Sequence, residues 1–194
     1  DHLGRSISSW ALETFLRRLY NPRRGKGLLK MAGRLSDFEA VENAIQAVDD
    51  FFQFLHVDSL GQKDRSRLVE KGRLPMEVFP PLSLVLRKLV ELGELCEDET
   101  AKLEIKDQAK RMQGYLNGLS EVFDLKNPDA VYWMERTGKK NQIIHLRSAP
   151  LKVAEILREE LFAKQSSIVM TSATLTRKGK ADSFRKEVGV DEVE

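Results

Sequence analysis

The chain has 194 residues, 41% of them hydrophobic and 32% charged, enough for one good-sized soluble domain or one domain plus a fragment of another. The formal net charge is only +2. No apolar run approaches a membrane span, so no membrane partner is expected. No signal peptide opens the chain, and an opening Asp rather than Met reads as an excised segment. The one cysteine, Cys96, excludes an internal disulfide and a multi-thiolate metal site, and fits a reducing, cytoplasmic setting.

The charge is distributed in blocks. Residues 1–35 hold eight Lys/Arg against two acids, a net of +6. Residues 36–58 hold six acids and no Lys or Arg, and residues 59–75 hold five Lys/Arg against two acids, a net of +3. Residues 6–19 have amphipathic spacing that predicts a helix with Leu12, Phe15, Leu16 and Leu19 inward. Asn21-Pro22 stops it. A flexible basic loop follows, with Arg23, Arg24 and Lys26, then Lys30 and Arg34. It is suited either to a phosphate backbone or to plain solvation. It is not a phosphate-binding P-loop, because Lys26 is followed by Gly27 rather than Ser or Thr.

Residues 36–57 carry the clearest helical pattern, with Ser36 and Glu39 as a capping box. The seam Phe38, Val41, Ile45, Val48, Phe52 and Leu55 alternates three and four apart, as in helices that pack on helices. The acids fall mainly off this seam, on a solvated face. Residues 58–75 are polar, and the run from Arg67 to Leu74 suits a small strand pair or an ordered loop. His56 beside it has no ligand partners at metal spacing. Pro80 and Pro81 open a third helix with the seam Leu82, Val85, Leu89, Leu92 and Cys96, which makes Cys96 a core thiol. A fourth helix has the seam Ile105, Ala109, Met112, Leu116, Leu119 and Phe123. The shared spacing predicts an elongated helical bundle.

After Pro128 the period changes. Residues 131–136 and 142–147 read as a β-hairpin. Its Tyr132 and Trp133 suit either base stacking or a core. A helix from Leu151 to Phe162 follows, then a short apolar run, Ile168-Val169-Met170, that reads as a buried parallel strand. Strand, helix, strand is the βαβ signature. Thr171, Ser172, Ala173 and Thr174 stand at the end of that strand, where α/β sheets gather their ligands. A last short helix ends at Gly189. The expected class is therefore mostly α with a smaller α/β part. Residues 1–128 form the helical unit, and residues 129–194 hold the hairpin and an incomplete α/β piece.

The run from His145 through Ala149-Pro150-Leu151 to Phe162, then Ser172-Ala173-Thr174-Leu175, resembles the approach to motif III of DinG/XPD-type superfamily 2 DNA helicases. Residues 184–190 resemble the segment that commonly follows. The close match covers about a third of the chain, and the helical part matches in position and character. The resemblance implies that residues 1–128 are an arch-like domain that helps enclose single-stranded or forked DNA. It implies that residues 129–194 are a fragment of the first RecA-like motor domain. Thr171, Ser172, Ala173 and Thr174 would then couple ATP hydrolysis to unwinding, in partnership with the DEAH-box region and the second motor domain. The family's phosphate cradle, DEAH carboxylates, four cluster cysteines and arginine finger are absent here. No catalytic residue, metal or cofactor is thus expected within these residues. ATP and Mg belong to the intact helicase, and whether it carries an iron–sulfur cluster stays open. The implied DNA contacts are Arg23, Arg24, Lys26, Lys30 and Arg34, then Arg65, Arg67, Lys71 and Arg73. The competing reading is a helical protein-interaction module whose seam recruits a partner helix.

Overall fold

The computed structural model describes residues 4–138, 142–165, 167–171 and 181–190, without the Ser183 side chain. Six α-helices and four strands are formed among these residues, mostly α with a smaller sheet, as the periodicities predict. Strand β1 (Arg5–Ser8) leads into α1 (Ser9–Leu19), and α2 (Leu35–Phe54) continues as a π-helical turn to Leu60. Strand β2 (Arg65–Leu68) separates α2 from α3 (Phe79–Leu95) and α4 (Glu99–Asp124). The hairpin β3 (Ala130–Thr137) and β4 (Ile143–Pro150) follows, then α5 (Val153–Glu160) and α6 (Asp182–Val188).

The sheet has the order β1-β4-β3-β2 and is antiparallel throughout. Ile7 lies opposite Leu146, Met134 opposite Leu146, and Leu68 opposite Tyr132. Alternation along each strand puts these residues on one face, and all are buried there. That face and the helical seams share one core, in which Leu12, Leu82, Met112, Leu119 and Leu146 are fully enclosed. The helices stand on the sheet as two antiparallel pairs. The first, α1 with α2, runs from β1 to β2, and the second, α3 with α4, runs from β2 to β3.

The local signals differ from expectation in instructive ways. Ser8 caps α1, its hydroxyl accepting the Ala11 N–H at 3.1 Å, so residues 5–8 are free to be a strand. The expected Ser36 and Glu39 box is not used. Instead the Asp37 carboxylate accepts the Arg34 N–H at 2.7 Å, and α2 begins one residue earlier. Asp37 is buried there beside the Lys88 ammonium at 3.3 Å, so it belongs to the α2–α3 contact rather than to a solvated face. Cys96 is half-buried at the end of α3 rather than in the core. The stretch 65–74 contributes one strand to the sheet edge rather than a strand pair of its own. Arg136 on β3 donates to the carbonyls of His56 and Gly61, both at 2.6 Å, and so ties the end of the first helix pair to the sheet.

Residues 167–171 are not the expected buried parallel strand. They have no regular structure, and Val169 is 87% exposed. A parallel strand takes its hydrogen bonds from strands beside it, and the four described strands pair with one another while none pairs with residues 167–171. The described residues thus form no βαβ unit. The apolar residues of α5 (Val153, Ile156, Leu157) are likewise only half-buried.

The core assignment is checked by paired truncations. Leu146→Ala is expected to lower the unfolding free energy by about 2–5 kcal/mol in urea titration. Leu103→Ala, on the outside of α4 at 68% exposure, is expected to change it by less than about 0.5 kcal/mol.

Candidate nucleic-acid interface

The basic residues singled out by sequence form two surfaces rather than one. The first is the turn after α1. It is a built structure rather than a flexible loop: the Asn21 N–H donates to the Lys26 carbonyl at 2.7 Å, and the Asn21 side-chain oxygen accepts the Arg24 N–H at 3.3 Å. Gly25 at φ 58° makes the reversal, and a Cβ on Gly27 would collide with the Leu19 carbonyl. Arg23, Arg24 and Lys26 are exposed on this turn. Lys30 is held down, its ammonium 4.7 Å from the centre of the Phe38 ring, which stacks on Tyr20. Arg34 has an exposed side chain, while its backbone N–H takes part in the start of α2.

The second surface is β2 and the stretch after it, where Arg65, Arg67, Lys71 and Arg73 are all exposed. Arg34 precedes α2 and Arg65 follows its π-helical extension, so the two surfaces lie at opposite ends of a helix about 30 Å long.

Register brings to β2 a set of residues that sequence did not connect with it. On the sheet face turned away from the helices, Arg67 is opposite Trp133, Trp133 opposite Arg147, and Arg147 opposite Ser6. In the next row Arg65 is opposite Glu135, and Glu135 opposite His145. Tyr132 points the other way into the core, its hydroxyl accepting the Asn127 N–H at 2.9 Å. Trp133 is half-exposed on the outer face.

Glu135 organises this face. It is buried, and one carboxylate oxygen accepts from Arg65 Nη2 at 2.6 Å and from Trp133 Nε1 at 3.1 Å. The other oxygen pairs with Arg147 at 2.7 Å. Burial works to raise its pKa. The hydrogen bonds from Trp133 and Arg65 and the charges of Arg147 and Arg65 outweigh that and hold it below the ordinary carboxylate range. His145 lies beside it, 2.7 Å from the Thr137 hydroxyl. Burial, then the Arg147 charge, lowers its pKa against the opposing pull of Glu135, so it is neutral at pH 7. Arg65, Arg67 and Arg147 against Glu135 leave the face with a net charge of +2. The signal available in sequence was period-two alternation: Trp133, Glu135, His145 and Arg147 occupy the polar phase of both hairpin strands.

Of the coupling residues, Thr171 is exposed in irregular backbone. Ser172, Ala173 and Thr174 lie outside the described residues.

No family model matches the chain. The chain is similar to the 3'-5' exonuclease DinG of Bacillus subtilis (strain 168), 26% identical over 231 aligned residues that take in 99% of this chain. It is also similar to the probable ATP-dependent helicase YpvA of the same organism, 26% identical over 153 residues and 78% of this chain. The resemblance to DinG-type proteins seen in the motif region thus extends across nearly the whole chain, helices included. The chain spans about a quarter of the length of these relatives, 25% of DinG and 23% of YpvA.

The Glu135 cluster makes a pH-dependent contribution to stability. Its folded pKa lies below the unfolded one, so the contribution is present at neutral pH and is lost as the pH falls through the folded value. Glu135→Gln is expected to cost about 1–3 kcal/mol at pH 7. Thermal unfolding followed across pH is expected to show the gap between the two proteins closing on acidification.

Proposed function

We propose that this chain is a segment of a DinG-type ATP-dependent DNA helicase that handles single-stranded or forked DNA. Residues 1–128 would be the arch-like part, and residues 129–194 a fragment of the first RecA-like motor domain carrying its motif III. The observation that carries this reading is the similarity to DinG over 99% of the chain, far beyond the motif-like stretch. The charge pattern supports it: exposed cations gather on the Asn21–Lys26 turn and along β2, with an exposed-face tryptophan beside the latter. Such surfaces hold a nucleic-acid backbone without reading its sequence.

In this reading Thr171, Ser172, Ala173 and Thr174 relay nucleotide state to the DNA-contacting surfaces, by exchanging hydroxyl partners as two motor domains close. The exposed Val169 and the half-buried apolar side of α5 support a place for this region against the remainder of the motor. ATP and Mg serve the intact helicase. Among the described residues no three His, Cys, Asp or Glu side chains gather to hold a metal, and Cys96 alone cannot furnish a cluster's thiolates. The phosphate cradle and magnesium-holding carboxylate that ATP hydrolysis needs are not recognisable in this sequence, so by itself the chain is expected to release no phosphate from ATP. Among the described residues no helix is long and apolar enough to cross a membrane. The interaction-module reading needs an apolar seam open to a partner helix. The seams of α2, α3 and α4 are instead occupied by one another.

Fluorescence anisotropy with a labelled single-stranded oligonucleotide tests the proposal. Salt-sensitive binding is expected. The double change Arg23→Glu with Arg24→Glu is expected to weaken it at least about tenfold at low salt and to flatten its salt dependence by about 1.4 counterions, roughly 0.7 for each lost phosphate contact. Absence of binding at low salt would overturn it.

A further inference from the structure

Between α1 and α4 lies a cleft of about 610 Å³, within the range of small-ligand sites, and Leu19 and Leu28, which flank the Asn21–Lys26 turn, line one part of it. One wall is the flank of α1 beside its buried stripe, of which Phe15 and Leu19 also line the cleft. Trp10, Thr14 and Arg18 recur there every fourth residue, and Trp10 is 61% exposed. The other wall is α4, where Arg111, Gly114 and Tyr115 line the opening. Tyr115 is packed on Phe15 with ring centres 5.3 Å apart. Burial pushes its phenol pKa above the ordinary value, against the smaller downward pull of the Arg111 and Arg18 charges.

Two features of the cleft have no explanation in folding. An exposed tryptophan on the polar side of a short amphipathic helix contributes nothing to the core. Gly114 sits inside a 26-residue helix, where glycine is a poor helix former, and a Cβ added there would meet no atom within 4 Å. Gly118, one turn on, is different, because its Cβ would strike Ile7 at 2.8 Å. Gly114 is exposed on α4 and leaves space beside the opening of the cleft. Arg5, Arg18 and Arg111 line the cleft together with one acid, Glu104. Arg5 is engaged by Glu121 and Arg111 by Asp107, while Arg18 has no carboxylate partner among the described residues.

We propose that this cleft seats a short stretch of single-stranded nucleic acid, with a base stacked on Trp10 and flanking phosphates paired by Arg18 and Arg111. An aromatic face beside cations, here Arg18 without a carboxylate partner among the described residues and Arg111 in an exposed pair with Asp107, is what a base and its phosphates require, whatever the sequence. The proposal rests on the nucleic-acid reading of the chain and adds to it a site beside the basic turn.

The test is anisotropy of a fluorescein-labelled oligothymidylate with three variants of the chain, Trp10→Ala, Arg18→Glu and Gly114→Leu. Gly114→Leu fills the cleft while favouring the helix, so circular dichroism and melting temperature are expected to hold or improve. Each variant is expected to weaken binding about tenfold. If all three bind as tightly as the unaltered chain while the Arg23/Arg24 double variant does not, the cleft proposal fails and the nucleic-acid reading stands. If the unaltered chain does not bind the oligothymidylate at low salt, both fail. Binding of a polyglutamate peptide in place of the oligothymidylate, abolished by Gly114→Leu, would make the cleft a peptide site and overturn the proposal.

Discussion

The fold depends on the β3–β4 hairpin having both of its edges taken by strands from far away in sequence. β1 pairs with β4 across almost the whole described helical region, and β2 pairs with β3. Each pairing closes a long loop, which is entropically unfavourable until the loop is filled with structure. The two helix pairs are that structure. Each leaves the sheet from one strand and returns to the next, and each lays its apolar seam on the inner face of Tyr132, Met134, Ile144 and Leu146. Without the hairpin face, α1 and α4 would lack their common floor, and helices of this length gain most of their stability from such packing.

The same constraint shapes the outer face. A sheet covered by helices on one side must put polar residues on the other, and here the polar phase is dominated by cations around one buried carboxylate. Glu135 on β3 lets Arg65 and Arg147 sit on the strands to either side of it without mutual repulsion, and it fixes the Trp133 indole through its N–H. The cations of β2 are thus held by a rigid sheet edge, and those of the Asn21–Lys26 turn by a closed backbone reversal. About 30 Å of α2 separates them, a distance that suits an extended ligand better than a compact one.

Much of the helical architecture could be read directly. Val41, Ile45, Val48 and Phe52 on α2, and Ile105, Met112 and Leu119 on α4, are buried as their spacing requires, because a helix fixes which residues share a face. The hairpin was legible for the same reason, with period two in place of 3.6. Less legible were Arg5–Ser8 and Arg65–Leu68, four-residue strands too short for any period to emerge. The helical spacing of residues 6–19 even absorbed the first of them. The apolar run at 168–170 shows the converse: its composition suits a buried strand, yet hydrophobicity alone supplies no neighbour to pair with.

By itself the sequence determined the helices, their inward faces, the hairpin, the blocks of charge and the resemblance to DinG-type helicases. Each is written in residues close together along the chain. Only the tertiary structure decided which cations share a surface, that Glu135 is buried among arginines, and that Trp10 and Arg18 stand across a cleft from Arg111 and Tyr115. Those relations join residues tens of positions apart. They are set by strand register and by how helices stand on a sheet, and no local pattern encodes either.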